Sequence, residues 1–508
     1  PLELFARLAD VLGDIFGPLR AAMADAVSLL CTRVAALGMS APMRAVAGRR
    51  ELRSSPFFRL SGAQLDEVPA LVEECRCELV IVHEHLESTG VSVDVVYRMD
   101  TIRRMLLRIE RLVPLLDPAR SSSDRVAAAR VLFAALTAGR IADTSIRQLG
   151  RQNLALLARK IIERVGRTGE HYVTATRRDY MRMLASASGG GALTALTVIG
   201  KFLVKWGHLA PFLDGIFASG VYAASFLAMQ FLGLTLATKQ PSMTAAALAA
   251  TIRETKGPHQ LDELVTLIAK ISRSQFAAAI GNVVTVIPVV IGIDLAWTAI
   301  TGDHFVDTKT ATATMASFDP LHSGTIFYAT LTGGLLWLSS LCAGWLENWV
   351  TYRRLPDALR DHRAGRLVGR QTMRRLGDFV ANHSAGIGGN VSLGILLGMT
   401  PIIGVVFGVP LDVRHVTLST GSMTFAGCAL GLDAVTASAC VGIALIGLLN
   451  FGVSFALALA VALQARDVTG RERLGLAVAV ARRFVRHPLE FFLPVNTATQ
   501  PPAHHGGQ

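Results

Sequence analysis

The chain has 508 residues, of which 51% are hydrophobic and only 17% charged, and its mean hydropathy is +0.43. Soluble domains carry roughly a quarter of their residues as charges, so this composition excludes an ordinary soluble chain and predicts a membrane protein. The formal charge is +12 and 43 of the 50 basic residues are Arg, but neither half concentrates them into a polycation, so anionic lipid headgroups suit them at least as well as nucleic acid.

The chain opens on Pro1 rather than Met, which predicts further residues ahead of it, and no secretory signal pattern opens it. Residues 1 to about 184 read as amphipathic helices. Apolar residues recur at three and four in Leu71–Val82 and Ile102–Val113. Ser121–Asp124 is placed to cap a helix starting near Val126. No alternating strand pattern occurs, and the expected unit is a helical bundle on the membrane face. Cys31, Cys75, Cys77, Cys342, Cys428 and Cys440 form no paired framework, and Cys75 and Cys77 fall on different faces of one helix. A reduced compartment is expected, and no cofactor or metal, because no CxxC or clustered His supplies ligands.

After Arg182 the pattern changes to apolar runs near the roughly 20 residues that cross a hydrocarbon core. Six are counted, approximately 185–204, 215–237, 276–297, 326–349, 386–409 and 438–463. Trp206, Trp297 and Trp349 lie at their ends, where amphipathic rings prefer the headgroup level. The predicted fold class is therefore an all-α polytopic membrane protein with about six transmembrane helices. A cytosolic helical domain over 1–184 precedes a transmembrane domain over 185–464, and a basic cytosolic tail, 465–508, follows.

Basic residues in the connections set the orientation. Thr301–Ser323 has Lys309 against Asp303, Asp307 and Asp319, whereas Thr351–Ser384 carries eight arginines and the chain after Leu463 six more. Both termini are expected in the cytoplasm of a bacterial inner membrane. A seventh apolar segment, 418–432, is short and Gly-rich; counting it as a crossing would put the basic tail outside, so it reads as re-entrant or interfacial. Spans three and five open alike, with Gly281-Asn282 and Gly389-Asn390, and each carries a proline, Pro288 and Pro401. This suggests three successive helical hairpins, although ordinary close packing also enriches small residues in spans.

Ionisable and amide groups inside spans are the functional candidates, since each costs insertion energy and wants a partner or a cavity. Lys201, Lys205 and Asp214 lie near span ends and read as anchors. Asn282, Asn390, Asn450 and Asp294 form a candidate polar path, with Asp294 close enough to an end to be hydrated; bracing between helices is the commoner use of such amides. Glu347 and Arg353 are a candidate pair at the inner membrane face. Asp412, Arg414 and His415 are a candidate anion or loop site, with Asp412 placed to fix the His415 tautomer. No Walker lysine, zincin motif or nucleophile elbow is present, and His504-His505 lies in a Pro/Gly tail, from Thr497, that reads as disordered. These residues point to transport of a small polar solute or to envelope organisation, with anionic lipid as partner and a homo-oligomer or membrane partner left open.

Several segments together resemble a known family. They are Ala237-Thr-Lys-Gln-Pro241, Arg273-Ser-Gln275 before Gly281-Asn282, Leu338-Ser-Ser340 with Ala343-Gly-Trp345-Leu-Glu347-Asn-Trp349, and Pro410-Leu-Asp-Val-Arg-His-Val-Thr-Leu-Ser-Thr-Gly421. From about Gly166 onward the chain is similar to the membrane-embedded, proteobacterial family named for site-specific recombinases. The resemblance implies DNA strand exchange, which makes a membrane-associated recombinase the alternative function. The residues offer little for that chemistry. A tyrosine recombinase needs a nucleophilic Tyr after its Arg and His set, yet the last tyrosine is Tyr352, and Leu411 stands where a His would precede Arg414.

Overall fold

The computed structural model describes residues 17–47, 53–89, 93–117, 119–143, 176–236, 260–465 and 470–494. Among them every regular element is helical and none is a strand. The chain divides into two compact units, Pro1–Lys160 with Thr351–Arg354, and Ile161–Val350 with Leu355–Gln508. The expected end of the second span at 237, the Ala237–Pro241 motif and the tail from Thr497 lie outside the described residues.

In the first unit, helices α1 (Gly17–Gly38), α2 (Ala41–Ala47), α3 (Pro56–Leu60), α4 (Val68–Thr89), α5 (Val93–Leu116) and α6 (Ser122–Asp143) surround an aliphatic core. Val34, Leu60, Val72, Leu79, Ile102 and Leu106 are its centre. Their three-and-four spacing on α4 and α5 turns one stripe inward, while Arg76 pairs outside with Glu110 at 2.6 Å. The cap before α6 forms four residues earlier than expected. Ser121 Oγ accepts from the Asp124 N–H at 3.2 Å, so the helix begins at Ser122 rather than near Val126.

The second unit contains α7 (Arg177–Trp206), α8 (Pro211–Phe231), α9 (Gln260–Thr301), α10 (Thr308–Ala316), α11 (Thr325–Tyr352), α12 (Leu355–Arg360), α13 (Gly365–Val368), α14 (Arg370–Phe407), α15 (Val416–Leu430), α16 (Ala437–Ala465) and α17 (Gly470–Arg486). Six of these, α7, α8, α9, α11, α14 and α16, coincide with the apolar runs and are long and apolar enough to cross a membrane. A seventh such helix is α1. It escaped the sequence reading because its buried residues, Val27, Cys31 and Val34, sit at amphipathic spacing against the first unit's core. The fold is an all-α membrane protein.

Three features position the polar residues. A Thr176–Asp179 capping box starts α7, with Asp179 N–H on Thr176 Oγ1 at 3.2 Å and Thr176 N–H on Asp179 Oδ2 at 3.0 Å. Glycines let backbones meet: a Cβ on Gly394 of α14 would stand 2.5 Å from the Ala223 nitrogen of α8, so only a hydrogen fits there. Finally, α9 and α14 run 42 and 38 residues, roughly twice the length a bilayer core needs, and α14 begins at the end that bears Arg370, Arg374 and Arg375. This is the arginine end; the opposite, tryptophan end is marked by Trp206 packed on Phe305 at 5.0 Å and near Trp297 at 6.4 Å.

After α14 the chain turns at Gly408, φ +65°, and runs back between the helices in extended form as far as His415 before α15 begins. There Arg414 N–H donates to Thr332 Oγ1 at 2.8 Å. Along α15 the path returns to the tryptophan end, where Phe425 meets Phe305 at 4.8 Å. At 15 residues, or about 22 Å, α15 is too short for a crossing, and the segment leaves by the end it entered. The basic tail also folds: α17 lays Leu476 against Leu264, Val265 and Ile271 of α9, and Arg483 pairs with Glu490 at 3.0 Å.

Candidate functional site: two polar cavities in the membrane unit

The three span asparagines do not gather at one point. Two belong to the arginine end. Asn282 donates from Nδ2 to the carbonyls of Thr235, at 2.9 Å, and Ala278, at 3.0 Å, and Asn390 donates to Gln230 Oε1. Both thereby tie α9 and α14 to the end of α8, where Gly233 at φ +67° lets the chain turn. The third fixes the re-entrant segment. Asn450 Nδ2 donates to the carbonyls of Arg414, at 2.9 Å, and Ala329, at 3.0 Å, and its Oδ1 accepts the Val416 N–H at 3.1 Å. An amide satisfied three times over inside a span is a brace.

Beside the first pair lies a cavity of about 310 Å³, lined by Gln230, Thr235, Ser339, Glu347, Asn382 and Asn390 among others. Its polar lining is uncharged apart from Glu347. Arg353, the expected partner of Glu347, stands in the turn after α11.

At the tryptophan end a larger cavity of about 540 Å³ is lined by Lys201, Lys205, Lys309 and Arg414, with Asp307 and Asp412 as the only carboxylates. Arg414 lies over the rings of Tyr328 and Phe318, its guanidinium carbon 5.4 and 5.7 Å from their centres. One terminal nitrogen, Nη1, pairs with Asp412 and donates to the Val413 carbonyl at 3.2 Å. Asp412 is therefore engaged by Arg414 and by the Val413 N–H at 2.7 Å. His415 is buried at the start of α15.

Between the two cavities stand Tyr222, which lines the cationic one, and Phe226, which lines the other. They sit one turn apart on α8, about 6 Å along its axis, both buried, with stacked rings 11° from parallel and centres 6.1 Å apart.

Asp294, expected to be hydrated, is 1% exposed. Its carboxylate accepts the Phe305 N–H at 3.0 Å and meets His304 Nδ1 at 2.8 Å, which closes the loop after α9. In the first unit Cys75 is buried and Cys77 exposed; burial, then the neighbouring Glu74, pushes the Cys75 thiol up to about 12, so it is inert at neutral pH.

Sequence reasoning passed over Lys201, Lys205 and Lys309 as anchors or topology markers, and over Gln230 entirely. The i, i+4 spacing of Lys201 and Lys205, which places both on one helical face, was the available signal.

With this geometry in hand, comparison with known proteins adds one finding. The family model described as site-specific recombinase matches residues 3–494. The chain belongs to the site-specific recombinase family. That match includes both units, so the N-terminal helices belong to the family as much as the spans that first resembled it. None of the curated proteins and none of the solved structures matches the chain. Within this site-specific recombinase family member, the residues lining both cavities include no tyrosine after Arg414.

Proposed function

We propose that this family member is an integral protein of the bacterial inner membrane that moves a small polar solute, with both termini and the Arg353–Arg375 loop in the cytoplasm. The observation that carries the reading is the pair of polar cavities separated by the Tyr222–Phe226 stack. Polar chambers at membrane depth are costly unless something polar occupies them, and broken or re-entrant backbone inside a membrane is tolerated where it lines such a chamber. The orientation rests on the arginine-rich connections, with α1 counted as part of the N-terminal helical unit because its buried stripe packs there.

The test is flux in proteoliposomes. Transport that falls on Asn390→Leu, and a leak that rises on Phe226→Ala, support the reading; equal fluxes with and without protein remove it. Co-purifying subunits without flux would favour a scaffold in envelope organisation.

The second reading is a membrane-associated site-specific DNA recombinase, and the family match favours it. It requires a covalent protein–DNA adduct on supercoiled DNA. Detection of that adduct, lost on substitution of a single Tyr or Ser, would replace the transport reading.

A further inference from the structure

We propose that the cavity at the tryptophan end binds a small oxyanion of the phosphate or sulfate class. This names the solute for the transport reading and rests on it. Four cationic side chains, Lys201, Lys205, Lys309 and Arg414, face two carboxylates, leaving a surplus of two positive charges. Both carboxylates are already committed. Asp412 pairs with Arg414, and Asp307 caps α10 by accepting the Thr310 N–H at 2.9 Å. No ion pair among the described residues neutralises any of the three lysines.

Arg414 supplies the directional element. All its side-chain hydrogen bonds leave from Nη1; Nη2 makes none, and Nε is buried without a partner. The guanidinium is nevertheless held in place by the two rings and by the backbone bonds to Thr332 and Asn450. A fixed guanidinium whose Nη2 donors are unused offers an anion oxygen a charge-assisted hydrogen bond. The buried Ser419 and Ser422 also line the cavity, and hydroxyl donors suit an oxyanion. Lys201 lies five residues inside Trp206, about 7.5 Å deeper, where an unpaired ammonium is expensive. A bound anion supplies its missing counter-charge, and the cavity volume falls in the range of small-ligand sites.

The phosphate could be free or carried on a lipid headgroup, and the experiment separates the two. The full chain, purified in a non-ionic detergent, is titrated calorimetrically with inorganic phosphate and with sulfate at constant ionic strength. Saturable binding is expected, weakened about tenfold or more by Lys201→Gln and by Arg414→Gln, which corresponds to at least ~1.4 kcal/mol. Lys270→Gln, outside the cavity, leaves it unchanged. If Arg414→Gln fails to fold, Lys201→Gln alone decides. Absence of binding for both anions, or equal weakening by Lys270→Gln, overturns the proposal. Repeating the titration in nanodiscs of phosphatidylcholine and of phosphatidylglycerol identifies the source: binding suppressed only by phosphatidylglycerol means the site holds a headgroup phosphate, and binding in both means a free anion. Phosphate binding without flux retains the site and removes the transport reading, whereas flux of another solute without phosphate binding does the reverse.

Discussion

In the N-terminal unit, Val34, Ile102 and Leu106 are fully buried and the arginine–carboxylate pairs lie outside. In the membrane unit the fully buried residues include Asn282, Thr332 and Asn450, while Phe407 and Leu448 face outward, 73% and 64% exposed. Both units are helical and both use Leu, Val and Ala heavily; on the function proposed above, the first is surrounded by water and the second by lipid. Water rewards burial of apolar surface at about 25 cal/mol per Å². Lipid offers no such reward, and helices there gain from close backbone approach and shared hydrogen bonds. The first unit is therefore held by its aliphatic stripe, the second by glycine contacts and amide braces.

Five substitutions sharpen or break that contrast. The largest effect is expected at Gly394, where any side chain collides with the α8 backbone. Gly394→Leu should cost more than ~4 kcal/mol and yield no monodisperse protein in detergent; a normal elution profile would show that the α8–α14 contact does not hold the unit. Next is a lysine on the outward face. Leu448→Lys should cost about 2.5–3.5 kcal/mol in membrane insertion, whereas Val80→Lys, on the exposed face of α4, should stay within about 0.5 kcal/mol. Glycosylation-mapped insertion and thermal melting measure the two, and equal penalties would dissolve the distinction between the units.

Asn450→Leu removes three hydrogen bonds, each worth ~0.6 kcal/mol on average between membrane helices. A loss near 2 kcal/mol is expected in detergent unfolding, together with weaker anion binding, because the Arg414–Val416 backbone is no longer pinned. Stability lost without any change in binding would mean the re-entrant segment holds its place unaided. The smallest effect belongs to Arg76→Ala. Its pair with Glu110 is partly exposed, so the first unit should lose only about 0.2–1 kcal/mol, and less at high salt. A larger loss would show that this unit leans on its ion pairs.

Much of the fold was legible in the sequence because hydropathy and length are local quantities. The six apolar runs of the second unit, the absence of strand alternation and the shortness of 418–432 all follow from windows of twenty residues or fewer. The limits of those windows explain the differences. The second run ends at Phe231 rather than 237 because Gly233 turns the chain, and α1 qualifies as a span by composition although its stripe packs among charged helices. Polar residues in the spans were identified by their cost, but cost does not say what each one touches.

What the sequence alone determined is the helical class, the membrane setting of the second unit and the set of polar residues that must find partners. What only the tertiary structure decided is which partners they find. Asn282 and Asn390 were drawn to α8 and Asn450 to the re-entrant segment, while lysines from α7 and α10 were brought to Arg414, more than a hundred residues away in sequence. Insertion energy depends on the side chain and its depth, both readable along the chain. Pairing depends on which helices lie side by side, and that is fixed by glycine contacts and turns acting over the whole bundle.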